Sequence, residues 1–209
     1  MAAIIQTPDE IHNSVPLLEE SPHLSSNVLQ RIGATFIMLR QHENWGVCLT
    51  HRHLELKSDE LMVHQLSANG TLDVCKPLTS DHIDVHPHSW HFTTNGRFEP
   101  YEYGTQERPP PPLQLRSALE AELSHMGLRS NISLIPIVGH IEGRGQKWIE
   151  YVDIQDRSMT SSLVPENTHL PGLEAVGWRF WVTEEGSMGI GIARECKRDT
   201  MGFHKAVYT

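Results

Sequence analysis

Apolar and polar positions along the chain change period several times, and those changes divide it into elements. The clearest stretch is LQLRSALEAELSHMG, where Leu115, Ala118, Leu119, Leu123 and Met126 recur at three- and four-residue spacing. That spacing lines one face of a helix, and Gly127 provides a residue suited to the left-handed turn that ends it. A second helical pattern runs through Val28, Leu29, Ile32, Phe36, Ile37 and Leu39 to about Asn44, capped by Ser25 or Ser26. Gly33 weakens it, so a break there followed by a strand over 35–39 is a competing expectation.

Elsewhere the period falls to two. In GVCLTHRHLELKSDE, Val47, Leu49, His51, His53 and Glu55 stand at alternate positions, which a strand turns to one side. Leu61 to Leu66 reads as a hairpin partner or continuation, and Asn69-Gly70 as a turn into 71–75. His82 to Phe92 forms a histidine-rich extended segment closed by Asn95-Gly96, and 97–103 a short aromatic strand. The run Pro109–Pro112 is a stiff connection to the helix. Beyond the helix, strands are predicted over 132–140, 148–154, 176–182 and 190–196, with a long polar loop over 156–173. Pro8, Pro16 and Pro22 mark residues 1–23 as a flexible N-terminal arm, which leaves 24–209 as a single domain. No internal repeat is legible. The fold class expected is α+β, mainly an antiparallel β-sheet or barrel with one or two packing helices.

Charge and composition narrow the partners. A net charge of -9 and a pI near 5.8 argue against nucleic acid, since no surface neutralises phosphates. No apolar run approaches the roughly 20 residues that span a bilayer. The start, MAAIIQTPDEIH, lacks the basic and apolar regions of a signal peptide. Cys48, Cys75 and Cys196 form no CxxC pair, so a reducing, cytoplasmic location is expected, and the sequons at Asn69 and Asn131 are chance matches. Fourteen histidines are the compositional oddity.

Those histidines carry the candidate chemistry. His51 and His53, with Glu55 two residues on, can converge on one ion or one substrate. A second cluster, VHPHSWHFTTN, holds His86, His88 and His91. Imidazoles with a carboxylate, Glu55 or Glu60, suit divalent iron, manganese, nickel or zinc. Without a metal, His51, His53 and Glu55 offer general acid–base groups, with Tyr101 and Tyr103 as an acid pair or stacking wall. Core tyrosines with satisfied hydroxyls and histidines that merely decorate strands are the plainer alternatives. Arg52 calls for a carboxylate partner such as Glu43, Asp59 or Glu60. His140 and Glu142 repeat an HxE pattern, and Cys48 or Cys196 is a nucleophile on composition alone. Nucleophile-elbow, P-loop and dinucleotide-binding motifs are absent.

The order of the two histidine clusters loosely resembles the metal motifs of the cupins. Gly46, His51, His53 and Glu55 or Glu60 stand for the first motif, one residue short of its spacing. Pro87, His91 and Asn95 stand for the second, which lacks its glycine here. The block GVCLTHRHLEL also resembles small proteins of filamentous fungi that carry an HRHF or HRHL motif after a helix, over about residues 24–66. That likeness implies no activity but tilts the reading toward specialised metabolism.

The function expected is therefore a small-molecule enzyme with a histidine-lined pocket, holding a divalent metal for oxidation, lyase or isomerase chemistry. A cofactor-independent isomerase, dehydratase or cyclase is one alternative. A non-catalytic binding or scaffold protein with structural histidines is the other. A small-molecule substrate is the expected partner, with neither nucleic acid nor membrane, and a homodimer stays open.

Overall fold

A computed structural model describes residues 6–82, 84–137 and 145–197. Its ten strands are β1 (Trp45–Leu49), β2 (Glu60–Leu66), β3 (Leu72–Thr79), β4 (His86–Phe92), β5 (Phe98–Gly104), β6 (Ile132–Pro136), β7 (Gln146–Asp153), β8 (Ser158–Pro165), β9 (Leu173–Val182) and β10 (Met188–Lys197). They close into one barrel in the order β1-β6-β4-β5-β2-β3-β8-β7-β10-β9, so no edge strand is left unpaired. The fold is mainly β and mostly antiparallel, with β2 parallel to β5 and β7 parallel to β10. Among the described residues three α-helices accompany it: α1 (Pro8–Asn13), α2 (Ser26–Met38) and α3 (Leu113–Met126).

The ring has an internal two-fold. Exchanging β1 with β6, β2 with β7, β3 with β8, β4 with β9 and β5 with β10 returns the same neighbours read in the opposite sense. Such an operation is a rotation perpendicular to the barrel axis, and it swaps the two ends. The registers obey it residue by residue. Val47 faces Leu134, Trp90 also faces Leu134, and Trp178 faces Val47. His64 pairs with Gly104 in one parallel ladder, and Glu150 with Cys196 in the other. Irregularities fall at matching places in the β4–β5 and β9–β10 hairpins, where Glu102 and Arg194 occupy equivalent positions. The sequence shows no repeat because these equivalent residues differ in chemistry, while the backbone pairing that relates them does not depend on side-chain identity.

Helices α2 and α3, each preceding an equivalent strand, cover the β1–β6 side. Leu29, Ile32 and Phe36 of α2 and Leu115, Leu119 and Leu123 of α3 join Val47, Leu49, Ile132, Leu134 and Phe180 in one buried cluster. Full burial of such side chains stabilises by about 1.5–3 kcal/mol each. Helix α2 runs unbroken through Gly33, so no strand forms over 35–39. A Cβ at Gly33 would lie 2.5 Å from a ring carbon of Phe180, and glycine there lets helix and sheet approach. Gly127, which caps the C-terminus of α3, has φ 70°, as its sequence position implies.

Several expectations change, among them the pairing of β2, which joins β3 and β5 and not β1. From Pro8 onward, the segment expected as a flexible arm packs on the barrel: Thr7 caps α1, and Ile11, Val15 and Leu18 are buried. The loop expected over 156–173 contains β8, which pairs with β7 and β3 through short polar residues. Strand β1 ends at Leu49, so His51, Arg52 and His53 lie in the irregular connection to β2. His140 and Glu142 lie outside the described residues. No helix among the described residues is long and apolar enough to cross a membrane.

The two barrel ends differ. At one, Leu54 and Leu56 from the β1–β2 connection plug the interior against Met62, Cys75, Val152 and Met159. The other is a mouth bordered by Ser67, Thr71, Gln106, Arg108 and Gln146.

Candidate functional site

Two clusters of buried polar side chains lie inside the barrel, one toward each end. Near the mouth, β2 supplies His64, β3 Asp73, β4 His88 and β5 Glu102. The Nδ1 of His64 lies 2.7 Å from Asp73 Oδ2 and its Nε2 lies 3.3 Å from Glu102 Oε2, so each nitrogen faces a carboxylate. The irregularity before Glu102 in β5 changes the alternation at the residue that turns toward His64. The His88 ring stacks on His64 with centroids 4.3 Å apart and planes 21° apart. Its Nδ1 is held at 3.0 Å by Ser89 Oγ. Gly104 makes room for this ring, since a Cβ there would sit 3.3 Å from His88 Cδ2.

The electrostatics split the two imidazoles. Burial alone would lower the pKa of His64, but the groups beside it, Cys75 and Asp73 foremost, raise it well above 6.5. Burial pushes the Cys75 thiol up to about 12, so at neutral pH the neighbouring negative charge is that of Asp73, with Glu102. His88 moves the opposite way, well below 6.5, through its burial and then the charge of His64. Burial would also raise Glu102, yet hydrogen bonds from His64 and Ser89 hold its carboxyl well below the usual carboxylate range. Near neutral pH the cluster therefore holds an imidazolium, a neutral imidazole and two carboxylates. His64, Asp73 and His88 line a void of about 20 Å³, the size of one water, with Gln106 and Arg108 on its outer side.

Toward the plugged end, the β1–β2 connection brings His51 and His53 against Glu150 of β7 and Cys196 of β10. His51 Nδ1 lies 2.7 Å from the Leu49 carbonyl, which can only accept, so this nitrogen is the donor and Nε2 is left as a lone-pair nitrogen. That Nε2 is 3.1 Å from His53 Nε2 and 3.4 Å from Cys196 Sγ. Cys196 Sγ is 3.8 Å from His53 Nε2 and donates to Glu150 Oε2 at 2.5 Å. Arg194 reaches the other oxygen of Glu150 at 2.7 Å. Burial, followed by the charge of Glu150, holds the Cys196 thiol well above its ordinary pKa. By the two-fold, Glu150 stands where His64 stands in the other half, and Arg194 where Glu102 stands.

The residues singled out from the sequence divide between these clusters and neither. His51 and His53 do converge, though from a loop. His88 belongs to the mouth cluster. His86 is half-buried beside Asp84 at 3.6 Å. His91 packs edge-on to Tyr101, and burial, then the charge of His12, lowers it to about 4. Glu60 pairs with Arg157 and Glu55 with Arg52, away from the histidines. Arg52 also donates from Nε to the Val15 carbonyl at 2.9 Å, pinning the N-terminal segment. The Tyr101 hydroxyl donates to Ser133 Oγ at 3.2 Å, and the ring sits with Ile11 and Val15. Tyr103 is half-buried and lines neither cluster. His64, Asp73, Glu102 and Glu150 were not singled out. Their signal in the sequence is a polar residue inside an otherwise apolar strand, as in LMVHQL and KWIEYV.

Compared with protein-family models, with curated proteins and with solved structures, the chain matches none.

Proposed function

We propose that this protein is a small-molecule enzyme that works by general acid–base catalysis at the barrel mouth. The observation that carries the reading is His64, clamped between Asp73 and Glu102 and stacked on His88 beside a one-water void. Two titratable groups whose surroundings drive their pKa values apart are how one site holds an acid and a base at the same pH. His88 is the base: Ser89 holds its Nδ1, and Nε2 is the nitrogen for the substrate proton. His64 is the acid. Its contact to Glu102 is the longer of its two, so the Nε2 proton is the one delivered. Asp73 keeps the ring oriented.

Taking a proton at one atom and returning one at another involves no net oxidation, which fits an isomerisation, dehydration or cyclisation. Arg108 lies at the outer side of the void, with Gln106 Oε1 at 3.0 Å, and selects a small carboxylate or other anion.

A metal reading of the same cluster has one observation in its favour: donor atoms of His64, His88 and Glu102 lie within 4.8 Å of one another. The stacking weighs against it. An imidazole lone pair lies in the ring plane, and the planes of face-to-face rings 4.3 Å apart do not meet at a point about 2.1 Å from both nitrogens.

The test is solvent-deuterium incorporation, followed by NMR, into a panel of small carboxylic acids with acidic C–H bonds. Wild type labels or converts a member of the panel. His88→Ala loses at least about 100-fold of that rate, the usual share of a general base. Turnover that survives in a folded His88→Ala protein would overturn the reading.

A further inference from the structure

The cluster at the plugged end has a different chemistry. We infer that His51, His53, Cys196 and Glu150 form a closed, four-donor binding site for a zinc-type divalent cation, which fastens the β1–β2 connection to the barrel wall. This inference does not depend on the acid–base reading of the mouth.

The geometry points to a tetrahedron. Zinc binds imidazole nitrogen at about 2.0–2.1 Å and thiolate sulfur at about 2.3 Å, so tetrahedral edges are about 3.3 Å between nitrogens and about 3.5 Å from nitrogen to sulfur. The Nε2–Nε2 separation here is 3.1 Å, and the two nitrogen–sulfur separations are 3.4 and 3.8 Å. His53 Nε2 to Glu150 Oε2 is 3.9 Å. The rings of His51 and His53 stand at 87° to each other, so their in-plane lone pairs can meet, as those of the stacked His64 and His88 cannot. The one short edge, Sγ to Oε2 at 2.5 Å, is the hydrogen bond of a protonated thiol. When the cation enters, the thiol proton leaves to solvent, the sulfur becomes a thiolate ligand and that edge opens.

The surroundings are those of a ligand set. The Leu49 carbonyl fixes His51 with Nε2 turned inward, the orientation that outer hydrogen bonds give metal-bound histidines. Arg194 holds the second oxygen of Glu150 at 2.7 Å and orients the carboxylate. Two imidazoles, one thiolate and one carboxylate match zinc in softness. The side chains of His53 and Glu150 are 3% and 2% exposed, and Cys196 is fully buried, so no position is left for a substrate. A site of this kind is structural. It joins a loop to β7 and β10, neighbours in the barrel but distant in the chain.

The experiment uses the full-length protein without a histidine tag, stripped with a chelator and titrated with Zn(II) and, separately, with Co(II). After desalting, elemental mass spectrometry reads the stoichiometry. Near-ultraviolet and visible absorption of the Co(II) form reads a thiolate ligand and tetrahedral coordination. We expect one equivalent bound with a thiolate-to-cobalt band in wild type and in His88→Ala. Cys196→Ser should lose the band and bind more than about 100-fold more weakly, beyond what loss of an outer hydrogen-bond partner costs. The wild-type spectrum stands even if Cys196→Ser fails to fold. No uptake by wild type, uptake without a thiolate band, or an equivalent that persists in Cys196→Ser would each overturn the inference. An equivalent that depends on His88 would do the same, by placing the ion at the mouth.

Discussion

Glu60 grips Arg157 through both carboxylate oxygens at 2.8 and 2.7 Å, and chiefly through these hydrogen bonds its pKa falls from 4.5 to about 2. A folded-state pKa below the unfolded one means the pairing stabilises fully above about pH 4.5 and is lost as pH falls toward 2. Glu60→Gln should cost about 1 kcal/mol at neutral pH and flatten the acid limb of stability between those values, measured by urea unfolding at stepped pH. An unchanged acid limb would mean the pair is not formed in solution. Asp73→Asn tests the buried counterpart. It leaves His64 with one carboxylate instead of two, and removing one partner from a buried ion pair costs about 3 kcal/mol in denaturant unfolding. Spacing in the sequence was enough to bring His51 and His53 together, because two positions apart they need no distant contact. Their partner Cys196 lies 145 positions away, and no local pattern could join it to them. Glu60 and Glu55 looked like ligands for the opposite reason: they are near in sequence, but Arg157 and Arg52 take them.

Helices were the more legible elements. The apolar stripe of α3 and its terminal glycine mark it without ambiguity, since helical contacts are local. Helix α2 was ambiguous only at Gly33, where the decisive neighbour is Phe180 on β9. Gly33→Val should destabilise by about 1–3 kcal/mol through overpacking against Phe180 and Met188. A thermal melt that does not move would show that helix and sheet stand farther apart than they do here. Strand β8 escaped notice for a matching reason. Its polar Thr160, Ser161 and Ser162 show no alternation of apolar and polar, and hydrogen bonds to β3 and β7 make it a strand. The HRH segment alternates as a strand should but, among the described residues, has no ladder partner beyond Leu49 apart from a single bridge from Arg52 to Leu17.

Barrel closure belongs to the whole molecule. Each half of the two-fold contributes five strands, and β1 finds its neighbours, β6 and β9, only in the other half. A chain cut near residue 107 should therefore give two halves that each expose unpaired strand edges. Circular dichroism is expected to show no cooperative melt for either half alone; a half that melts cooperatively would make it an independent folding unit. The helical stripes, most strands and their turns, the β-rich α+β class and the unusual concentration of histidine are legible from the residues in order. All of these follow from periodicity and local conformational preference. The closed ring, its two-fold, and the sorting of histidines into a stacked pair near the mouth and a cluster with Glu150 and Cys196 at the plugged end come from the tertiary structure. Those features rest on pairings between strands far apart in the chain, and on the carboxylates those pairings set beside His64, which decide which imidazole is charged. A linear pattern encodes neither.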